Sequence, residues 1–323
     1  MKIDIRAPAL LAGLLFGLTA AAQDYPTRLI KIVVASAPGG PVDLTGRVIA
    51  QKLSDAWKQS VIVENRTGAS EIIGTEVVAK SPPDGYTLLI VANPLTVNPS
   101  LFPKLPYDPV RSFAMVTMLT QTPMVLVSNP KAPFNSIKDL VAAAKARPGG
   151  IAWASAGVGT MNHITGEQFA AESGIKLLHV PYKDGSPAAA NAVIAGDTQF
   201  GIVALNSALQ FVKSGRLKAL AVTTGERTPL APDLPTLSEL GVHGLDAAVR
   251  VGMYVPAGTP KNVIAKLNAE VNRIIQEPAT RQQMASLGAD TYGTTTPEEH
   301  EALIRKIAAQ IAKIVAQANI KLD

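Results

Sequence analysis

The chain of 323 residues contains no cysteine. A disulfide framework, a thiol nucleophile and a thiolate metal site are therefore excluded. Aromatic residues are scarce, at 5%, and charged residues make up 17%. The 30 basic residues are scattered, with no Lys/Arg run interleaved with aromatics, so a nucleic-acid partner is not expected. The four histidines (163, 179, 243 and 300) show no H-E-x-x-H pair or other ligand spacing, so no metal is expected. A Walker A sequence is missing. So is a nucleophile elbow, because Ser155 has Trp153 rather than glycine two residues before it. No cofactor is expected.

What is present begins with the N-terminus. Lys2 and Arg6 precede the apolar stretch Ala7–Leu18, and Ala20-Ala-Ala22 offers an A-x-A cleavage site. Residues 1–22 read as a secretory signal peptide, the apolar run being short for a membrane span. No other stretch is long and apolar enough to cross a bilayer, and a chain without cysteine has no site for a lipid anchor. An exported, soluble, periplasmic protein is expected. The net charge of +5 favours anionic ligands mildly.

From Gln23 onward strand-like and helix-like runs alternate. The strands are expected at 29–36, 61–65, 87–92, 115–119, 124–128, 151–156, 177–181, 200–204 and 217–223. The helices are expected at 42–57, 72–80, 137–146, 161–172, 186–195, 207–214, 261–276, 278–287 and 298–318. This order implies α/β architecture with mostly parallel sheets, whose ligands sit beyond the carboxyl ends of strands.

Two turns stand out. After the apolar run Leu29–Val34, Pro38-Gly39-Gly40 breaks the strand and Asp43 offers an N-cap for the next helix. After the strand at Ile151, Ser155-Ala-Gly-Val-Gly-Thr160 repeats the arrangement, with Thr160 as the N-cap. It is not a dinucleotide fingerprint, because Asn162 stands where the third glycine would be. Helix starts opened by glycine present free N–H groups and a positive dipole end, which suit a carboxylate. Each taken alone is also an ordinary strand-to-helix turn. Together, about 120 residues apart, they suggest two lobes facing each other across a cleft. The expected division is 23–122 plus 225–323 as lobe 1 and 123–224 as an inserted lobe 2, with a linear split as the alternative. The long last helix is expected to pack back on lobe 1.

Other candidates are weaker. Asn93 ends a strand and either lines the cleft or closes a turn. His163, just inside a helix, is the histidine placed nearest the cleft, or it bonds locally. Tyr182 ends a strand facing the expected site.

Several segments occur together and in order: Pro38–Asp43, Val63-Glu-Asn-Arg66, Ser155–Thr160 with His163 and Gly166-Glu167, Val180-Pro-Tyr-Lys183, Gly215–Thr223, Asp233-Leu-Pro-Thr236 and Pro256-Ala-Gly-Thr-Pro260. On these the chain resembles the substrate-binding components of tripartite tricarboxylate transporters, the TctC or Bug family, over nearly all of its length after residue 22. The resemblance implies a periplasmic binding protein of two α/β lobes (type II-like), a small carboxylate ligand, a membrane permease as partner and a monomer. It also implies a site of Pro38, Gly39, Gly40 and Asp43 on one lobe and Ser155, Gly157, Val158, Gly159 and Thr160 on the other. Val42 and Val158 would set ligand length. Where the family runs Pro-Gly-Ala-Gly-Gly, this chain has Thr67-Gly-Ala-Ser-Glu71: Ser70 could donate to the ligand, while Glu71 would repel an anion unless it points away or caps a helix. Where the family often has Trp-x-Gly, Arg250 stands, either gripping a distal carboxylate bidentately or lying exposed on a loop. A receptor for an aliphatic or aromatic dicarboxylate is the expected function. A periplasmic sensor presenting the acid to a signalling partner, and an exported enzyme, are the alternatives.

Overall fold

A computed structural model describes residues 25–322, so the expected signal peptide lies outside the described residues. The elements run β1 (Ile30–Val34), α1 (Pro41–Trp57), β2 (Val61–Asn65), α2 (Ile72–Ala79), β3 (Thr87–Val91), α3 (Pro94–Leu101) and β4 (Phe113–Ser128). They continue α4 (Ile137–Ala146), β5 (Ala152–Ser155), α5 (Met161–Ser173), β6 (Leu178–Pro181), α6 (Ser186–Ala195), β7 (Phe200–Ala204), α7 (Leu205–Lys213) and β8 (Lys218–Val222). The chain finishes with β9 (Ala248–Pro256), α8 (Lys261–Gln276), α9 (Pro278–Ser286), β10 (Asp290–Thr291) and α10 (Pro297–Gln317). Among the described residues no helix is long and apolar enough to cross a membrane.

The strands form two α/β lobes joined through β4. In the first sheet β2, β1 and β3 are parallel, β9 lies antiparallel to β3, and the N-terminal part of β4 pairs with β9. In the second, the C-terminal part of β4 pairs with β7 and β8, and β5 lies parallel to both β7 and β6. The sequence suggests separate strands at 115–119 and 124–128; the structure has one strand of 16 residues. Pro123 does not break it, because it occupies the last position paired with β9, where a missing N–H disturbs the ladder least.

Three elements escaped the sequence pattern, the shortest being the two-residue β10, which pairs with β4. β9 is buried on nearly its whole length between β3 and β4, and its Arg250 and Gly252 interrupt the apolar run that would mark a strand. α3 looks like a turn because it carries Pro94 and Pro99, yet Pro94 sits in the first helical turn, where proline is tolerated.

The C-terminal packing also differs from expectation. Ile304 of α10 joins the first lobe's core beside Leu89 and Tyr254, but Ile307, Ile311, Ile314 and Val315 pack with Trp153 and Phe200 of the second sheet and Phe169 of α5. Leu237, Val242, Leu245 and Ala247 join that same core, so the chain re-enters the first sheet at Ala248 rather than near residue 225. A helix with its apolar stripe extended over many turns buries it against whichever cores it reaches, and α10 reaches both.

Candidate functional site

The first turn is held by one buried carboxylate. α1 begins at Pro41, with Gly40 as N-cap and no side-chain cap bond. Asp43 is therefore not the N-cap that the sequence suggests. It sits inside the first turn, since Pro41 is preorganised for the first helical position and shifts the start forward. The Gly39 N–H donates to Asp43 Oδ2 at 2.8 Å, Arg47 Nε donates to the same oxygen at 2.9 Å, and Asn65 Nδ2 donates to Oδ1 at 2.8 Å. Asn65 Nδ2 also donates to the Ser36 carbonyl at 3.1 Å. This gives the Val63–Arg66 segment its role, which is to pin the turn. Burial by itself would raise the Asp43 pKa, but the bonds from Arg47, Gly39 and Asn65 outweigh it and hold the carboxyl below its ordinary value. Gly39 has φ +80° and needs to be glycine; Gly40, at φ −76°, does not need it for conformation.

The second turn is tied just as tightly, but to itself. Thr160 is the N-cap of α5, as its sequence position suggests: Oγ1 accepts from the His163 N–H at 3.4 Å and donates to the Gly157 carbonyl at 2.7 Å. The Gly157 N–H donates to Ser155 Oγ, and the Gly159 N–H donates to His163 Nδ1. These loop amides are thus committed within the turn. The donors left over are the first N–H groups of the helices themselves: Val42 and Asp43 in α1, Met161 and Asn162 in α5, none of which has an intrahelical acceptor. Thr160→Ala is expected to cost about 1 kcal/mol of stability through the lost cap and to weaken anion binding by loosening the turn; thermal melts and ligand titration check both.

Both helix starts open on one cavity of about 420 Å³. Of the residues singled out in the sequence, it is lined by Val42, Ser70, Glu71, Asn93, Val158, Gly159 and Thr160. Its further walls, which the sequence did not mark, come from α3 (Val97, Leu101) and its C-cap Phe102, from Val249 of β9 and from Leu322. Among the described residues no Lys, Arg or His lines it, and no cluster of three or more metal-ligating side chains occurs.

The family model of the tripartite tricarboxylate transporter family receptor, TctC, matches residues 45–320. The chain belongs to this family. BugT of Bordetella pertussis is 36% identical over 303 residues, covering 93% of this chain and 92% of BugT. Among solved structures, Rpa4515 of R. palustris with adipate superposes with a TM-score of 0.76 at 30% identity, covering 92% and 99% of the two chains. MatC of Rhodopseudomonas palustris with bound malate gives 0.70 at 26% identity, covering 90% and 100%. This TctC-family chain therefore has the fold of the family's periplasmic solute-binding proteins.

The remaining expected site residues of this family member lie off the cavity wall. Arg250 is not exposed on a loop and does not reach the cavity. It lies on β9, where side chains alternate, so with Val249 turned to the cavity Arg250 turns away; it is buried and donates to Asp246 Oδ1 at 2.6 Å. His163 and His179 stack at 3.9 Å behind the second turn, and Ser155 Oγ lies 2.7 Å from His179 Nε2. Burial, with His163 beside it, lowers the His179 pKa to about 4, so the ring is neutral at ordinary pH. Tyr182 packs with α6 and α7, and its N–H donates to the Ser155 carbonyl. These groups support the turn from behind. Pro38, Gly39, Gly40, Asp43, Ser155 and Gly157 likewise shape the two turns without lining the cavity. The side-chain amide of Asn93, though at the wall, donates to the Ala248 carbonyl and accepts from the Arg250 N–H, tying the start of α3 to β9.

Proposed function

We propose that the chain captures a small organic dicarboxylate in the periplasm, aliphatic or aromatic, and delivers it to the permease of a tripartite tricarboxylate-type transporter. The carrying observation is that helix starts from both lobes open on the same apolar-walled cavity. The N–H groups of Val42, Asp43, Met161 and Asn162 and the positive ends of two helix dipoles then offer a carboxylate its donors. Walls such as Val97, Leu101 and Val158 exclude water, which strengthens those dipoles. The adipate and malate held by two solved family members support the ligand class.

The reading includes export through residues 1–22, a monomer, and closure of two lobes on the acid. The crossings at Pro123, Thr223 and Ala247–Ala248 are their hinge, and the Thr223 N–H and hydroxyl cross-link all three strands there by bonding to Met124 and Ala247 carbonyls. A binding role rather than catalysis is supported by Ser155: its Oγ beside His179 resembles a nucleophile and base, but Ser155 is fully buried.

A thermal-shift screen of residues 23–323 against mono-, di- and tricarboxylic acids tests the reading. A ligand at about 100 times its Kd adds about 2.7 kcal/mol to the native state, which is expected as a rise of several degrees with one group of diacids. No shift with any acid, before or after unfolding and refolding to release trapped ligand, overturns the proposal. Affinity for a purified permease rather than a kinase ectodomain separates delivery from signalling.

A further inference from the structure

One ionisable side chain does line the cavity, and the turns described above do not use it. Glu71, at the N-cap of α2, accepts a hydrogen bond at Oε1 from Ser36 Oγ at 2.6 Å. Its Oε2 is out of reach of solvent and has no hydrogen-bond partner. A buried carboxylate oxygen left in this state is costly unless something else meets it. The backbone points the same way. Ala69, Ser70 and Glu71 are three consecutive non-glycine residues with positive φ, at 46°, 54° and 69°. L-residues adopt that region at a cost, and glycine would adopt it freely. The chain thus retains side chains on the cavity wall where the backbone favours having none.

We propose that Glu71 is a specificity-determining residue of the cavity, acting as a neutral carboxyl that turns its now-enclosed Oε2 toward the bound acid and donates its proton to an acceptor oxygen there. The charge balance fits. No cation lines the cavity to hold an ionised Glu71 next to an anionic ligand. Burial raises the Glu71 pKa, and the Ser36 hydroxyl and Ala92 backbone offset this only in part. Tyr107, beyond α3, is the titratable group facing it, and burial keeps this phenol protonated by raising its pKa. A neutral carboxyl explains how an acidic side chain can stand in an anion site. It favours ligands presenting an acceptor at that point over analogues that lack one.

The inference rests on the cavity being the carboxylate site, so the test separates the two. Calorimetric titration of residues 23–323 with the linear diacids succinate through suberate is repeated from acidic to mildly alkaline pH, for wild type, Glu71→Gln, Glu71→Ala and Gly159→Val. Glu71→Ala is expected to lose roughly 10- to 100-fold in affinity, the worth of one hydrogen bond to a charged group. Glu71→Gln, whose amide accepts from Ser36 and donates to the ligand, is expected to stay within about threefold of wild type at acidic pH. Wild-type affinity falls as pH rises through the raised Glu71 pKa, whereas that of Glu71→Gln does not. Without ligand the same ionisation destabilises the wild-type fold as pH rises above the unfolded value, so Glu71→Gln melts higher at alkaline pH and not in acid. Equal loss in Glu71→Gln and Glu71→Ala overturns the neutral donor. Unchanged affinity in Glu71→Ala while Gly159→Val abolishes binding overturns the role of Glu71 and leaves the receptor reading standing. No binding of any diacid by wild type overturns both.

Discussion

Replacing Asp43 with alanine is expected to cost about 3 kcal/mol of stability and to remove measurable carboxylate binding. The carboxylate is 1% exposed and accepts three bonds, from the Gly39 N–H, Arg47 and Asn65. Arg47 is half exposed and can return to water, so its share is small. The bonds from Gly39 and Asn65 are part-buried; two bonds to a charged group at roughly 1.5 kcal/mol or more each account for the estimate. Binding suffers because the same carboxylate holds the turn in front of α1, and loss of Asn65's anchor also loosens Ser36. The pH dependence has a definite sign. The folded pKa lies below the ordinary value of 3.8, so the stabilisation is complete above that value and is lost as pH falls through the folded pKa. Urea unfolding at neutral pH should show the full deficit of Asp43→Ala, and the deficit should shrink in strong acid. Wild-type stability and affinity in the variant would remove Asp43 from this role.

Gly159→Val is expected to lower ligand affinity by at least about 100-fold, equivalent to roughly 2.7 kcal/mol, while the chain still folds. Gly159 has φ +76°, a conformation that a β-branched residue tolerates worst. A Cβ there would lie 2.7 Å from Leu101 Cδ1 and 2.9 Å from Leu322 Cδ2. Leu101 belongs to α3 of the first lobe, so the added side chain wedges between the second turn and the opposite wall of the cavity. The wedge acts most where the lobes must approach. Small-angle scattering should show compaction on adding ligand to wild type and none in the variant. Gly39→Ala provides the comparison: no atom lies within 4 Å of its Cβ, so it pays only the backbone strain, about 1 kcal/mol. A Gly159→Val protein that binds and compacts normally would show that the walls do not close there.

Much of the local chemistry was legible in the residues. Thr160 reads as an N-cap because a side-chain oxygen three residues from an N–H needs no tertiary partner. Asp43 was misassigned for an equally local reason: the signal of Pro41 at the first helical position outranks an acidic residue two positions later. Glu71 carried an ambiguity that the sequence could state but not resolve, since a carboxyl that points away and one that faces a ligand look alike in a linear string. Arg250 misled because it lies on a strand buried on both faces, and only the pairing with β3 and β4 shows that Val249, not Arg250, faces the cavity.

By itself the sequence determined the α/β alternation, the two glycine-opened helix starts and the family. Those depend on side-chain period, backbone freedom and hydrogen bonds spanning a few residues. The tertiary structure alone decided which helix starts meet, which walls close the cavity and which charges are left facing it. Asn93 reaches Ala248 across 155 residues of chain, and the contacts of Leu101 and Leu322 around Gly159 come from still other parts of it. Such meetings follow from strand order and helix packing, which arise only when the whole core assembles and no local pattern records.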